Sequence, residues 1–115
     1  MLDRFTDRAR KVMSMAKQEA LDLHSNKVGT EHLLIGLLQE GTGVAARVLE
    51  ENGVEESKVV ELVSQLISPN TSVQMAENAA YTPRARRVIE NSYREAVRFK
   101  AAQIGTEHIL IAILR

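Results

Sequence analysis

Two glutamates, Glu31 and Glu107, each follow a Gly-Thr pair and precede a histidine, in the segments Gly29-Thr30-Glu31-His32 and Gly105-Thr106-Glu107-His108. A carboxylate at a surface helix start can grip a guanidinium through two parallel charge-assisted hydrogen bonds. Upstream of each motif, Thr6 and Thr82 stand where a hydroxyl would cap an earlier helix, and the free amides of such a helix start can hold an anion. Each copy therefore offers an anion-binding end, Thr6 or Thr82, and a cation-binding end, Glu31 or Glu107, provided the fold brings them together. A plainer reading stands beside this one. An acid in the first turn complements the helix dipole and contributes about 0.3–1 kcal/mol with no ligand at all.

Other chemistry finds little support. The chain has no G-x-x-x-x-G-K-[ST] segment, no G-x-S-x-G elbow and no H-E-x-x-H pair, so the familiar catalytic signatures are missing and a non-catalytic binding domain is expected. The adjacent Glu-His pairs do not make a metal site, because neighbours on a helix point about 100° apart, and no Glu-x-x-His partner accompanies them. His32 and His108 are expected to be packed, hydrogen-bonded side chains.

The elements that position these residues come from an internal duplication. Phe5 to Leu38 aligns with Tyr81 to Leu114 at an offset of 76 (81 − 5 and 105 − 29), with 14 identities in 34 positions. Each copy of a duplicated unit builds the same piece, so two equivalent sites are expected. In the first copy, Phe5, Ala9, Val12, Met13, Ala16, Ala20 and Leu23 form one buried helical stripe. In the second, Tyr81, Ala85, Val88, Ile89, Ala96 and Phe99 repeat it, with Ser92 in place of an alanine. Pro83 fits the first helical position, where its missing N–H is harmless. A second helix opens at a Thr30 cap and ends before Gly41. Helix three runs from Val44 to Glu51 and closes at Asn52-Gly53. Helix four spans about Glu55 to Ile67, with Val59, Leu62, Val63 and Leu66 inward. Residues 68–80 lose periodicity and read as a linker between repeat one, about 4–67, and a partial repeat two, 81–115.

The fold class is therefore all-α, a pseudo-two-fold duplicated four-helix repeat whose second copy is incomplete. These 115 residues are expected to be a single domain cut from a longer protein. Apolar residues make up 44% and aromatics 3%, which calls for an aliphatic helical core. The absence of cysteine and of any apolar stretch of spanning length suits a soluble cytoplasmic domain without membrane contact. Fifteen basic and fifteen acidic residues cancel, so no nucleic-acid partner is expected. Residues 39–67 carry net −4 (six acids, two bases) and residues 82–100 net +4 (six bases, two acids). These are either solvated faces that attract each other or a partner-binding surface.

The segments Arg4-Phe5-Thr6-Asp7-Arg8-Ala9-Arg10, Tyr81-Thr82-Pro83-Arg84-Ala85-Arg86-Arg87 and Glu40-Gly41-Thr42-Gly43-Val44-Ala45-Ala46, with Gly-Thr-Glu-His in both copies, resemble the N-terminal domain of the ClpC family of Clp ATPases. The resemblance implies a domain that binds substrates and adaptors such as MecA, carries no cofactor itself, and precedes ATP-hydrolysing modules that feed the ClpP protease. It further implies recognition of phosphoarginine-marked clients at two sites, with Glu31 and Glu107 on the guanidinium and the helix starts at Thr6 and Thr82 on the phosphate. Adaptor docking without phosphoarginine is the alternative. The incomplete second repeat is expected to leave Ile109, Ile111 or Ile113 exposed and the second site less secure than the first.

Overall fold

The Thr6 and Thr82 hydroxyls accept the N–H of Ala9 and Ala85, each at 3.1 Å. These caps start α1 (Asp7–Asp22) and α5 (Pro83–Arg98) where the spacing predicts, with Pro83 in the first turn. The computed structural model describes residues 3–66 and 80–115. Its other helices are α2 (Thr30–Glu40), α3 (Val44–Glu51), α4 (Glu56–Leu66) and α6 (Thr106–Leu114). All-helical architecture and duplication are both confirmed. The expected linker, residues 68–80, lies outside the described residues except for Ala80, as does the expected helix-four end at Ile67.

Helix α1 packs on α2 and α5 on α6, and the two pairs meet through α2, α6 and the flanks of α1 and α5. Phe5, Val12, Leu33, Leu37, Ile89 and Ile109 form the centre of the shared aliphatic core. Phe5 is fully buried, its ring 5.8 Å from that of Tyr93.

Several expectations are corrected. The cap of α2 is Gly29, not Thr30, which is the first helical residue. Ile109 is buried and Ile111 and Ile113 are half-buried, because α6 lies against α1, α2, α3 and α5. Leu62 and Leu66 point outward, being 56% and 83% exposed. Helix α4 packs on α2 alone, and one neighbour covers only a narrow strip, here the half-buried Val59, Val60 and Val63. Phe99 is exposed and Leu23 half-buried, so the stripe of the first helix in each repeat ends earlier than its periodicity suggests. The acidic and basic segments do not pair, since neither α3 nor α4 packs on α5.

Both long helices end in the same reversal. Ser25 N–H donates to Ala20 O and His24 N–H to Leu21 O, and the same bonds recur from Ala101 to Ala96 and from Lys100 to Val97. This is the Schellman arrangement, which puts one residue in the left-handed region and favours glycine there. The chain instead places His24 (φ 58°) and Lys100 (φ 55°). Lys100→Gly is expected to stabilise the fold by about 1 kcal/mol, a melting-temperature rise of about 3–5 °C on thermal unfolding.

Candidate functional site

The extended segments that enter the helices are crossed between repeats. Phe5 pairs with Ile104 in parallel fashion, with Thr6 N–H donating to Ile104 O at 2.9 Å and Ile104 N–H to Arg4 O at 2.8 Å. Val28 pairs in the same way with Tyr81, with Val28 N–H donating to Ala80 O at 3.1 Å and Thr82 N–H to Val28 O at 2.9 Å. The extended segment entering the first helix of one repeat is thereby tied to the one entering the Gly-Thr-Glu-His motif of the other. Thr6 and Glu107 line one cleft of about 620 Å³, with Asp7, Arg8, Gln103 and Gly105 among its walls. By the same pairing Thr82 is anchored beside the approach to Glu31. Thr6 and Glu107 thus come together across the repeats, while for Thr82 and Glu31 the observed link is the bond from Thr82 N–H to Val28, three residues before Glu31. Spacing along the chain carries no signal for this, because it depends on the crossing of two distant extended segments.

Each carboxylate folds back over the glycine that caps its own helix. A Cβ added at Gly29 would lie 1.6 Å from Glu31 Oε1, and one at Gly105 would lie 2.1 Å from Glu107 Oε1. Both glycines have ordinary extended backbone, φ −102° and −96°, so glycine is needed for room and not for conformation. Among the described residues the Glu107 carboxylate accepts no hydrogen bond and joins no ion pair, and Glu31 meets only His32, 3.6 Å away. Glu31 is half-buried at its surface helix start, its side chain 32% exposed. Opposite, the Asp7 and Arg8 N–H groups at the start of α1 have no helical acceptor, while at α5 Pro83 removes one donor and leaves that of Arg84.

The histidines are structural parts of this geometry. Gly29 N–H donates to His32 Nδ1 and Gly105 N–H to His108 Nδ1, both at 2.9 Å. An Nδ1 that accepts places the imidazole proton on Nε2. Burial pushes the His32 pKa down, with Glu31 partly opposing it, so the ring is neutral near pH 7. The packed, hydrogen-bonded histidines expected from the sequence are present, with the cap amide as the unforeseen partner.

The family described as "Clp repeat (R) N-terminal domain" matches residues 4–115. The chain belongs to that family. Over all 115 residues it is 44% identical to "Chaperone protein ClpB" of Oceanobacillus iheyensis and 44% identical to "Negative regulator of genetic competence ClpC/MecB" of Bacillus subtilis. It spans 14% of the length of each of these relatives. Among solved structures, the N-terminal domain of the chaperone ClpD from Arabidopsis thaliana superposes with a TM-score of 0.81 at 23% identity, covering 98% of this chain and 77% of that one. That likeness establishes the fold.

Within this Clp repeat domain the surroundings of the two Gly-Thr-Glu-His motifs are not alike. Around the Thr6 cleft, α3 closes one side: Ala45 N–H donates to the Thr106 hydroxyl at 3.2 Å, and a Cβ at Gly43 would come within 2.5 Å of the same oxygen. The Glu40 carboxylate holds the turn into α3, accepting the Gly43 N–H at 2.7 Å, the Thr42 N–H at 3.2 Å and the Thr42 hydroxyl. Burial alone would raise the Glu40 pKa, but these bonds, with Arg8 nearby, bring it below its usual value. Thr30, counterpart of Thr106, borders a cleft of about 510 Å³ with Arg84, Arg87, Asn91 and Arg115, a cleft that neither Glu31 nor Thr82 lines. Among the described residues no group of three His, Cys, Asp or Glu side chains is placed to hold a metal, and no helix is long and apolar enough to cross a membrane.

Proposed function

We propose that this Clp repeat domain is the client- and adaptor-receiving module of a cytoplasmic ClpC-type unfoldase and binds phosphoarginine-marked proteins at two composite sites. In this reading Glu107 with the α1 start at Thr6 forms one site, and Glu31 with the α5 start at Thr82 forms the other. The observation that carries it is the half-buried Glu107 carboxylate, without any partner among the described residues, in one cleft with a helix start whose first N–H groups are open. A guanidinium answers the carboxylate and a phosphate answers the amides. Phosphoarginine joins both groups in one side chain. The domain itself needs no cofactor and performs no catalysis. ATP hydrolysis, delivery to ClpP and adaptors such as MecA belong to the parent protein.

The two sites should differ in strength. Helix α1 carries Asp7 in its first turn, whereas α5 has Pro83 at that place and no acid; the bases that come next, Arg8, Arg10 and Lys11 in α1 and Arg84, Arg86 and Arg87 in α5, are matched. An anion at the start of α1 is opposed by the Asp7 carboxylate, and one at the start of α5 meets no such charge. The site at Thr82 and Glu31 is therefore expected to bind more tightly. Calorimetric titration of free phosphoarginine, with phosphoserine and arginine as controls, tests the reading, and saturation by phosphoarginine alone is the expected outcome. Gly29→Ala sharpens the test. Its backbone angles suit alanine, but the new methyl displaces the Glu31 carboxylate, so the tighter site should weaken by about tenfold, or about 1.4 kcal/mol, with the melting temperature nearly unchanged. Saturation by phosphoserine as readily as by phosphoarginine would remove the guanidinium from the model of recognition.

Adaptor docking alone remains a second reading on one observation. Val44, Val48, Leu62 and Leu66 of α3 and α4 are all exposed apolar side chains within the acidic stretch, a surface separate from both clefts apart from Val44, which edges the Thr6 cleft.

A further inference from the structure

Glu107 borders a second, smaller cavity. Phe99, Ala101, Glu107, His108 and Ile111 line a shallow, open depression of about 270 Å³, and three of these residues, Ala101, Glu107 and His108, also line the cleft that holds Thr6. The two cavities are thus neighbours that share the Glu107 side chain as a wall. Phe99 is 58% exposed with its ring 6.2 Å from that of the buried His108, and Ile111 is half-buried beneath. The His108 ring is immobilised by the Gly105 N–H. The wall is therefore a firm, mostly carbon surface with a carboxylate at one rim.

The symmetry-related place in the other repeat has no counterpart of the Phe99 ring. Leu23 stands for Phe99 and is half-buried, and Ile35 stands for Ile111 and is fully buried. The exposed aromatic ring is therefore a property of one site and not of the fold. We infer that the Phe99 cavity is a specificity pocket of the Glu107 site, taking an aliphatic or aromatic side chain that immediately flanks phosphoarginine in a client peptide. The inference rests on the phosphoarginine reading above. Glu107 is the only acid in the cavity wall, and a guanidinium already engages it from the larger cleft, so what the remaining surface can still bury is apolar. An extended peptide held at Glu107 carries its neighbouring side chains only a few ångströms from the anchored one, which is the reach the shared wall requires.

The test uses the chain with Glu31→Gln, so that the Glu107 site is read alone. Fluorescence anisotropy compares phosphoarginine peptides of one length flanked on both sides by leucine, by glycine or by aspartate, alongside calorimetry with free phosphoarginine. The leucine-flanked peptide is expected to bind about tenfold tighter than the glycine-flanked one, the scale of a filled apolar pocket, and the aspartate-flanked one weakest. Adding Phe99→Ala should abolish the leucine preference and leave affinity for free phosphoarginine unchanged. Because Phe99 is exposed, that variant keeps its fold, and Phe99→Leu should retain part of the preference. Equal binding of leucine- and glycine-flanked peptides, with free phosphoarginine still bound, would overturn the pocket alone. Failure of free phosphoarginine and every peptide to bind would overturn the phosphoarginine reading and the pocket with it.

Discussion

A variant carrying Glu31→Gln and Glu107→Gln together should lose saturable phosphoarginine binding while retaining its melting temperature to within a few degrees. Glutamine keeps the size and the fold-back over Gly29 or Gly105 but removes the charge and one of the two acceptors a guanidinium fork needs. Losing one partner of a partly buried, charge-assisted pair costs about 2 kcal/mol or more, at least about thirtyfold in affinity. Stability moves little because the dipole contribution of each acid is about 0.3–1 kcal/mol at most. Single variants separate the sites, with Glu31→Gln expected to remove the tighter phase and Glu107→Gln the weaker. Unaltered titration curves in the double variant would return both residues to the role of dipole complements.

Gly36→Leu should unfold the domain more readily than any surface change. Gly36 lies in the middle of α2, where a Cβ would sit 2.7 Å from Val12 O and 3.2 Å from Ala16 N. Both contacts are backbone, so relief requires moving α1 away from α2 and opening the core around Phe5, Leu33 and Leu37. The expected loss is about 3 kcal/mol, or about 10 °C in melting temperature. Gly36→Ala gains about 1 kcal/mol of helix propensity and still loses overall, since the first carbon already collides. The counterpart in α6 is Ala112, nearly fully buried, so the second repeat tolerates there the methyl group that the first excludes. A Gly36→Ala variant as stable as the parent would show that the α1–α2 spacing adjusts freely.

Much of the fold was legible along the chain because its determinants are local. Thr6 and Thr82 cap the helices their positions predict, Gly41 (φ 75°) and Gly53 (φ 80°) stand just beyond α2 and α3, and the offset of the duplicated motifs announced two related halves. The failures share one cause. Leu62, Leu66 and Phe99 lie on apolar stripes that periodicity reads as inward, yet burial depends on what packs opposite, and α4 meets α2 alone while Phe99 turns over His108 beyond the end of its helix. Residue types and spacing were sufficient to single out Glu31, Glu107, Thr6 and Thr82, to identify the helices that carry them and to suggest a carboxylate and a helix start as complementary halves. Which carboxylate joins which helix start was decided only by the tertiary structure, through the Phe5–Ile104 and Val28–Tyr81 pairings. Hydrogen bonds between segments this distant in sequence form only once both repeats have packed, and they exchange the halves so that the Thr6 cleft takes its glutamate, Glu107, from the other repeat.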